Sequence, residues 1–261
     1  MKTEIFTVGP LEVNSCLLWD EQTGDAAIID FGARKDSERE HLDMIIRAER
    51  LTLRYALQTH MHFDHVYGLP YIYNKYGICP MCHPDDERLY QLAPRMAEAI
   101  GLPMRESLPP LGSPLSDGLE LQVGSIDIQV IHTPGHQPSC IMLLDRENRL
   151  LFTGDMFYPG PMYCQFDDSS FPDYVKSIRK AAGMAREAGV KEVYTSHNLP
   201  TAETETLCDF ADFLERIESG AFRDYTVEDG FRTYSMNKDI SIILPDDGTE
   251  PVSGFSMVHP E

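Results

Sequence analysis

His60, His62, Asp64 and His65 stand close together as His-x-His-x-Asp-His. Imidazole nitrogen and carboxylate oxygen are the ligands zinc takes, and catalytic sites leave one coordination position for water. On an extended chain, residues two apart point the same way, so His60 and His62 can grip one ion. A turn after them frees Asp64 and His65 to reach a second. Three further donors are spread along the chain. His136 closes His132-Thr133-Pro134-Gly135-His136, Asp155 closes Leu151-Phe152-Thr153-Gly154-Asp155, and His197 closes Val193-Tyr194-Thr195-Ser196-His197. Each follows an apolar run that reads as a strand, so strand ends can bring distant segments to one site.

The elements that must position these residues are legible as alternating and periodic patterns. Glu4–Val8, Cys16–Trp19 and Ala26–Asp30 read as strands separated by Gly, Pro and Asn. Leu42, Ile45 and Ile46 share a helical face within residues 36–50, and Leu53–Gln58 is a strand running into the histidine motif. A helix is predicted around Asp85–Ile100. Pro103, Pro109, Pro110 and Pro114 then make an irregular excursion, so that residues 85–118 leave the core pattern. Strands return at Ile126–Ile131, Ile141–Leu144 and Leu150–Phe152. Ser170-Phe171-Pro172-Asp173 is a capping box opening a helix that Gly189 closes. Strand Glu192–Thr195, a helix through Leu207, Phe210, Leu214 and Ile217, and a hairpin of Arg232–Met236 with Ile240–Leu244 complete the chain before a polar tail. Strands and helices without strict alternation make this a mixed α/β sandwich.

Composition narrows the partners. The 261 residues carry 42 Asp and Glu against 22 Lys and Arg, a formal charge of −20. Such a surface repels phosphate backbones and anionic membranes, so a small molecule is the expected partner and neither nucleic acid nor membrane is. No apolar run approaches the ~18 residues of a membrane span. The N-terminus lacks the apolar core of a secretory signal, and six cysteines in a chain this long form no disulfide framework. A cytoplasmic protein is expected. No oligomeric state follows from the sequence.

At the histidine and aspartate motifs the sequence resembles the metallo-β-lactamase superfamily, over about residues 5–200, from Asp30-Phe31-Gly32 to His197. The resemblance implies a four-layer αβ/βα sandwich with the metal site at the edge of the two sheets. It implies one domain over residues 1–220, with the excursion near 85–118, and the hairpin and tail of 221–261 packed on it. It assigns one metal to His60, His62 and His136, and a second to Asp64, His65 and His197, with Asp155 bridging. Two Zn2+ are the expected cofactors, with Fe or Mn as alternatives. The reaction implied is hydrolysis of a small ester, thioester or lactone by a metal-bridging hydroxide, with Asp64 as the catalytic residue that orients or receives the proton.

Within that superfamily, His62 stands where the diiron flavoproteins have Glu. Glyoxalase II shares Thr59-His60-x-His62-x-Asp64-His65 and Phe152-Thr153-Gly154-Asp155. This chain reads Met156-Phe157-Tyr158-Pro159-Gly160 where that enzyme has Gly-Cys-Gly-Arg, and Gln-Pro-Ser-Cys at residues 137–140 where many relatives have Thr-x-Gly-Ser. The alternatives are a mononuclear iron enzyme resembling persulfide dioxygenases, and a β-lactam or lactone hydrolase.

Other motifs read as structure. Cys79-Pro80-Met81-Cys82-His83 matches a haem-attachment pattern but has no export signal beside it and no second Cys pair. Cys140 reads as a buried thiol, and His132 as a packed strand-end histidine. His41 and His259 read as surface residues. Tyr67, Tyr158 and Tyr163 flank the candidate ligands, and packing is the default for each. Pro94, Met96, Leu102, Pro103 and Met104 give residues 94–116 the apolar content of a pocket wall.

Overall fold

The short apolar runs of the first third become a sheet because each buries its side chains against the next. In the computed structural model, which describes residues 1–246, Lys2–Val8 (β1) pairs antiparallel with Val13–Trp19 (β2). Asp25–Ile29 (β3) lies antiparallel to β2. Every residue of β2 is buried, as expected of a strand covered on both faces. A parallel neighbour to β3 needs a crossover, and the helix Asp36–Ala48 (α1) supplies it before Thr52–Leu57 (β4). Glu38 Oε2 accepts from the backbone N–H groups of Arg34 and Lys35, each at 2.9 Å, which fixes the start of α1. Leu42 and Ile46 then turn inward to a core with Leu17, Ile28, Phe31 and Ile72.

Two short helices follow β4: Phe63–Val66 (α2) and Leu69–Tyr76 (α3). Pro80–Met81 (β5) extends the sheet in parallel, giving the order β1-β2-β3-β4-β5. Glu87–Ala99 (α4) comes next and contains Pro94 within it. The helical run thus continues through the first apolar residues of the predicted excursion, and the irregular stretch starts only beyond it. Its face of Leu89, Tyr90, Ala93 and Ala97 is buried, so side-chain packing offsets the N–H that Pro94 lacks. The hairpin Glu120–Val123 (β6) and Ile126–His132 (β7) closes this part of the chain.

The chain divides into two compact units. The first comprises Met1–Ile131 with Leu143–Asn148, and so holds part of Ile141–Asp145 (β8). The second comprises His132–Met142 and the chain from Arg149 onward. In it, Leu150–Phe152 (β9) pairs in parallel with Glu192–Tyr194 (β11), which pairs antiparallel with Thr201–Ala202 (β12). Pro161–Tyr163 (β10) belongs to a separate four-stranded sheet. Its order is β10-β15-β14-β13, with Thr226–Glu228 (β13), Phe231–Ser235 (β14) and Ser241–Pro245 (β15).

Phe171–Ala188 (α5) begins at Ser170, whose Oγ accepts from the Asp173 N–H and donates to its carboxylate; only this half of the expected capping box forms, because the Ser170 N–H donates to the Gly135 carbonyl instead. It ends at Gly189, whose φ of 62° is the left-handed conformation a helix terminus favours in glycine. Thr204–Glu218 (α6) packs against it, with the Tyr174 and Phe210 rings edge to face. The hairpin predicted at 232–244 is the pair β14 and β15. The polar tail and His259 lie outside the described residues. No helix among the described residues is long and apolar enough to cross a membrane.

Candidate metal centre

The donors of the first unit sit just past the end of β4. His60 and His62 occupy the loop between β4 and α2, just beyond Thr59, at the strand-to-loop junction where the strand expected over Leu53–Gln58 ends. The extended backbone at His62 preserves the alternation locally, and the two rings come to 4.6 Å between centroids. His60 Nε2 and His62 Nδ1 are 2.9 Å apart. Asp64 and His65 lie on α2, with His65 Nε2 3.7 Å from Asp64 Oδ2. All four side chains are buried.

Asp30, at the end of β3, braces this loop. Its Oδ1 accepts from Thr59 N–H at 2.8 Å and its Oδ2 from Thr59 Oγ1 at 2.7 Å. Oδ2 also stands 3.5 Å from His65 Nδ1, so one carboxylate faces both ends of the histidine motif. Gly32 completes the brace. A Cβ there would fall 2.3 Å from the Asp64 carbonyl oxygen, so only glycine lets the two backbones approach.

The second unit holds the other three donors. Asp155 lies on a short turn after β9, and its two oxygens face different imidazoles. Oδ2 is 3.6 Å from His136 Nε2, and Oδ1 is 3.4 Å from His197 Nε2. Zinc–nitrogen distances of ~2.0–2.1 Å in a tetrahedron give donor-to-donor edges of roughly 3.3 Å, so both pairs fit a shared coordination sphere. His136 Nδ1 donates to the Tyr163 carbonyl at 2.6 Å, which selects the tautomer with its proton on Nδ1 and leaves Nε2 free to act as the ligand atom. Ser196 Oγ donates to Asp155 Oδ1 at 2.5 Å. Tyr174 is fully buried, and its hydroxyl donates to the Met156 carbonyl, holding the turn that carries Asp155. Both units therefore carry buried His and Asp donors of the kind that hold a divalent metal.

Sequence reasoning expected His136, Asp155 and His197 past strand ends, where they follow β7, β9 and β11, and expected Asp64 and His65 in a turn, where the chain forms α2. It missed the outer partners: Asp30 as an anchor for Thr59, Ser196 for Asp155 and the Tyr163 carbonyl for His136. Only Ser196 had a local signal, as a hydroxyl next to a candidate ligand.

The remaining motifs are structural. His83 accepts from the Asp85 N–H and caps a short turn, and no metal-binding group among the described residues includes Cys79 or Cys82. Burial pushes the Cys82 thiol well up, away from a reactive thiolate. Cys140 is buried, His132 Nε2 meets the Pro138 carbonyl at 2.7 Å, and His41 packs edge to face on Phe6. Tyr67 OH donates to the Leu102 carbonyl at 2.6 Å, and burial pushes its pKa up to about 12, so it remains a donor. Arg34 lies over the Tyr67 ring and its Nη2 donates to the Pro103 carbonyl at 3.2 Å. The excursion is thus tied to the segment that carries Asp64 and His65.

A family model described as the metallo-beta-lactamase superfamily matches residues 8–197. The hydroxyacylglutathione hydrolase GloC of Haemophilus influenzae is 30% identical over 181 residues, covering 69% of this chain and 83% of that protein. The crystal structure of BLEG-1 B3 metallo-beta-lactamase superposes with a TM-score of 0.68 at 24% identity, covering 82% of this chain and 99% of that one. The crystal structure of TTHA1623 in a di-iron-bound form gives a TM-score of 0.65 at 27% identity, covering 77% and 95% of the two chains. The expected fold class is the observed one.

Proposed function

This chain belongs to the metallo-beta-lactamase superfamily, and from that membership we propose that it is a dinuclear metal-dependent hydrolase of a small ester, thioester or lactone. His60, His62 and His136 would hold one ion. Asp64, His65 and His197 would hold the other, and Asp155 would bridge. The observation that carries the reading is the Asp155 carboxylate, which turns one oxygen to His136 Nε2 and the other to His197 Nε2. A carboxylate serving a single ion has no need of a ligating imidazole at each oxygen.

The metals, when bound, supply Lewis acidity and lower the pKa of a water from 15.7 toward about 7. The chain's own groups do the rest. Tyr163 and Asp30 orient the donors, Ser196 steadies the bridge, and Asp64 accepts a proton at its carboxylate as the acyl carbon is attacked. No protein nucleophile is required. Kinship with a hydroxyacylglutathione hydrolase makes thioesters the first substrate class to test. A cytoplasmic setting and a small-molecule partner belong to the same proposal, and the charge of −20 supports the second by disfavouring anionic polymers.

The test joins metal analysis of the purified protein to turnover on ester, thioester and lactone panels. Two equivalents of zinc, or of another divalent metal, with hydrolysis of one class is the expected result. One iron per chain with oxygen consumption would replace the reading with a dioxygenase.

A further inference from the structure

The excursion beyond α4 is fastened differently at its two ends. At the far end the bonds run backbone to backbone: Gly112 N–H donates to the Pro80 carbonyl at 2.8 Å and Leu115 N–H to the Cys82 carbonyl at 2.7 Å. At the near end the chain leaves α4 through Gly101, whose φ of 76° is left-handed. Past that turn the ties are side chains. Tyr67 OH reaches the Leu102 carbonyl, Arg34 Nη2 the Pro103 carbonyl, and Arg39 and Asn74 the Glu106 carboxylate. Arg39–Glu106 is the one ion pair that residues 102–112 make among the described residues.

Arg39 is held ready for that pair. Its guanidinium lies over the Tyr71 ring at 5.3 Å, and the Tyr71 hydroxyl is bound in turn to Asp43 at 2.7 Å. Nη1 reaches Glu106 Oε1 at 2.9 Å, while Asp36 is a weaker claimant at 3.8 Å. Asn74 Nδ2 donates to Glu106 Oε2 at 3.4 Å. The Arg39 side chain is 13% exposed and that of Glu106 34%, so the cation is anchored while water and salt reach the anion. A pair so placed is worth more than one in open solvent and still weakens with ionic strength. The two neutral ties lie against the histidine motif. Tyr67 stands two residues past His65, and Arg34 two past Gly32, whose backbone lies against that of Asp64.

We infer that residues 102–111 form a hinged cover with Arg39–Glu106 as its catch. Closed, the cover occupies the Tyr67 hydroxyl and the Arg34 guanidinium with its own carbonyls. Open, it releases both donors beside the segment that carries Asp64 and His65. The device is independent of whichever reaction the centre performs, and it answers to ionic strength. Raising salt from about 0.01 M to 1 M shortens the reach of a charge from roughly 30 Å to 3 Å, which loosens the catch.

Trypsin reads the open state, because the exposed Arg105 lies in the cover next to Glu106. When opening and closing are fast, cutting follows the open population. The full chain is digested and the fragment ending at Arg105 followed, its rate divided by that of the same bond in a free peptide of matching sequence. This division removes the effect of salt on trypsin and of residue 106 on the bond. Arg39→Gln and Glu106→Gln should each raise the ratio roughly three- to ten-fold in low salt. The double variant should cut no faster than the faster single one, since both remove the same pair. Added NaCl should speed the unmodified protein toward the variants and leave the variants nearly unchanged. Cutting at Arg54, in β4, should not rise with it. Additive effects, a salt-insensitive ratio in the unmodified protein, or equal acceleration at Arg54 would overturn the inference. Should Arg39→Gln fail to fold, Glu106→Gln and the salt series decide alone, and no acceleration in either overturns it.

Discussion

Asp155 concentrates more of the proposed chemistry than any other residue, since each of its oxygens faces an imidazole and one also accepts from Ser196. Asp155→Ala should lower the occupancy of both metals together, and metal analysis that still finds two full equivalents would remove it as a bridge. Ser196→Ala is the subtler change. It leaves every ligand in place but removes the donor that orients Oδ1, and the expected loss of metal affinity is roughly 10–100-fold in competition with a chelator. Unchanged affinity would make the Ser196 contact incidental. The candidate ligands could be read from the sequence because imidazoles and carboxylates at such spacing have few other uses. The groups behind them could not. Asp30 lies 29 positions from Thr59, and the Tyr163 carbonyl 27 from His136, and a backbone carbonyl leaves no trace in residue identity.

At the scale of elements, the long alternating and periodic runs were legible. β9 matches its expected bounds, and α5 starts and stops at the Ser170 and Gly189 signals. What escaped was mostly short: α2 has four residues and β12 two, too few for any period to register, and α3 has only eight. The helix expected around Asp85–Ile100 is α4, and its buried face carries the chain through Pro94. The excursion gives the prediction at this scale. Arg39 pairs with Glu106 at 2.9 Å, and Tyr90 OH donates to the Pro109 carbonyl at 2.7 Å, adding to the ties at Leu102 and Pro103. Replacing residues 102–112 with a Gly/Ser linker should change the ranking of substrates while metal content stays the same. An unaltered ranking, or loss of metal, would reduce the segment to scaffold.

The molecule as a whole is strongly acidic, and the fold holds two carboxylates below their ordinary pKa, which links its stability to pH. Asp20 is buried in the first unit, where Oδ1 accepts from Gln22 N–H at 2.8 Å and Oδ2 from Ser125 N–H at 2.7 Å. The Gln22 bond and then the Ser125 bond lower its pKa to about 2. Asp43 is also held below the usual range: burial acts upward, but hydrogen bonds from Lys75, Tyr76 and Tyr71 outweigh it. A depressed carboxylate pKa stabilises the folded chain above the unfolded value of ~3.9, and that contribution disappears as pH falls through the folded one. Urea midpoints should therefore drop between about pH 4 and pH 2. Asp20→Asn should lower the midpoint at neutral pH and flatten that slope. An identical slope in the variant would show that other carboxylates govern acid unfolding.

The ties along the excursion are of two kinds, and the difference sets how its backbone exchanges with solvent. Gly112 N–H donates to the Pro80 carbonyl and Leu115 N–H to the Cys82 carbonyl, each in the β5 region, and Leu102 N–H still closes the end of α4 on the Ala97 carbonyl. Between them, residues 103–108 are held by their own carbonyls and side chains, at Pro103 and Glu106, while no backbone hydrogen bond from their N–H groups is present among the described residues. Such a segment can lie still and yet leave its amides open. Deuterium should enter Met104 to Leu108 within the earliest labelling times, while Leu102, Gly112 and Leu115 exchange only on opening of the surrounding structure. A bound substrate that presses on the segment would then register as slowed exchange confined to those five amides, with the flanking sites unmoved.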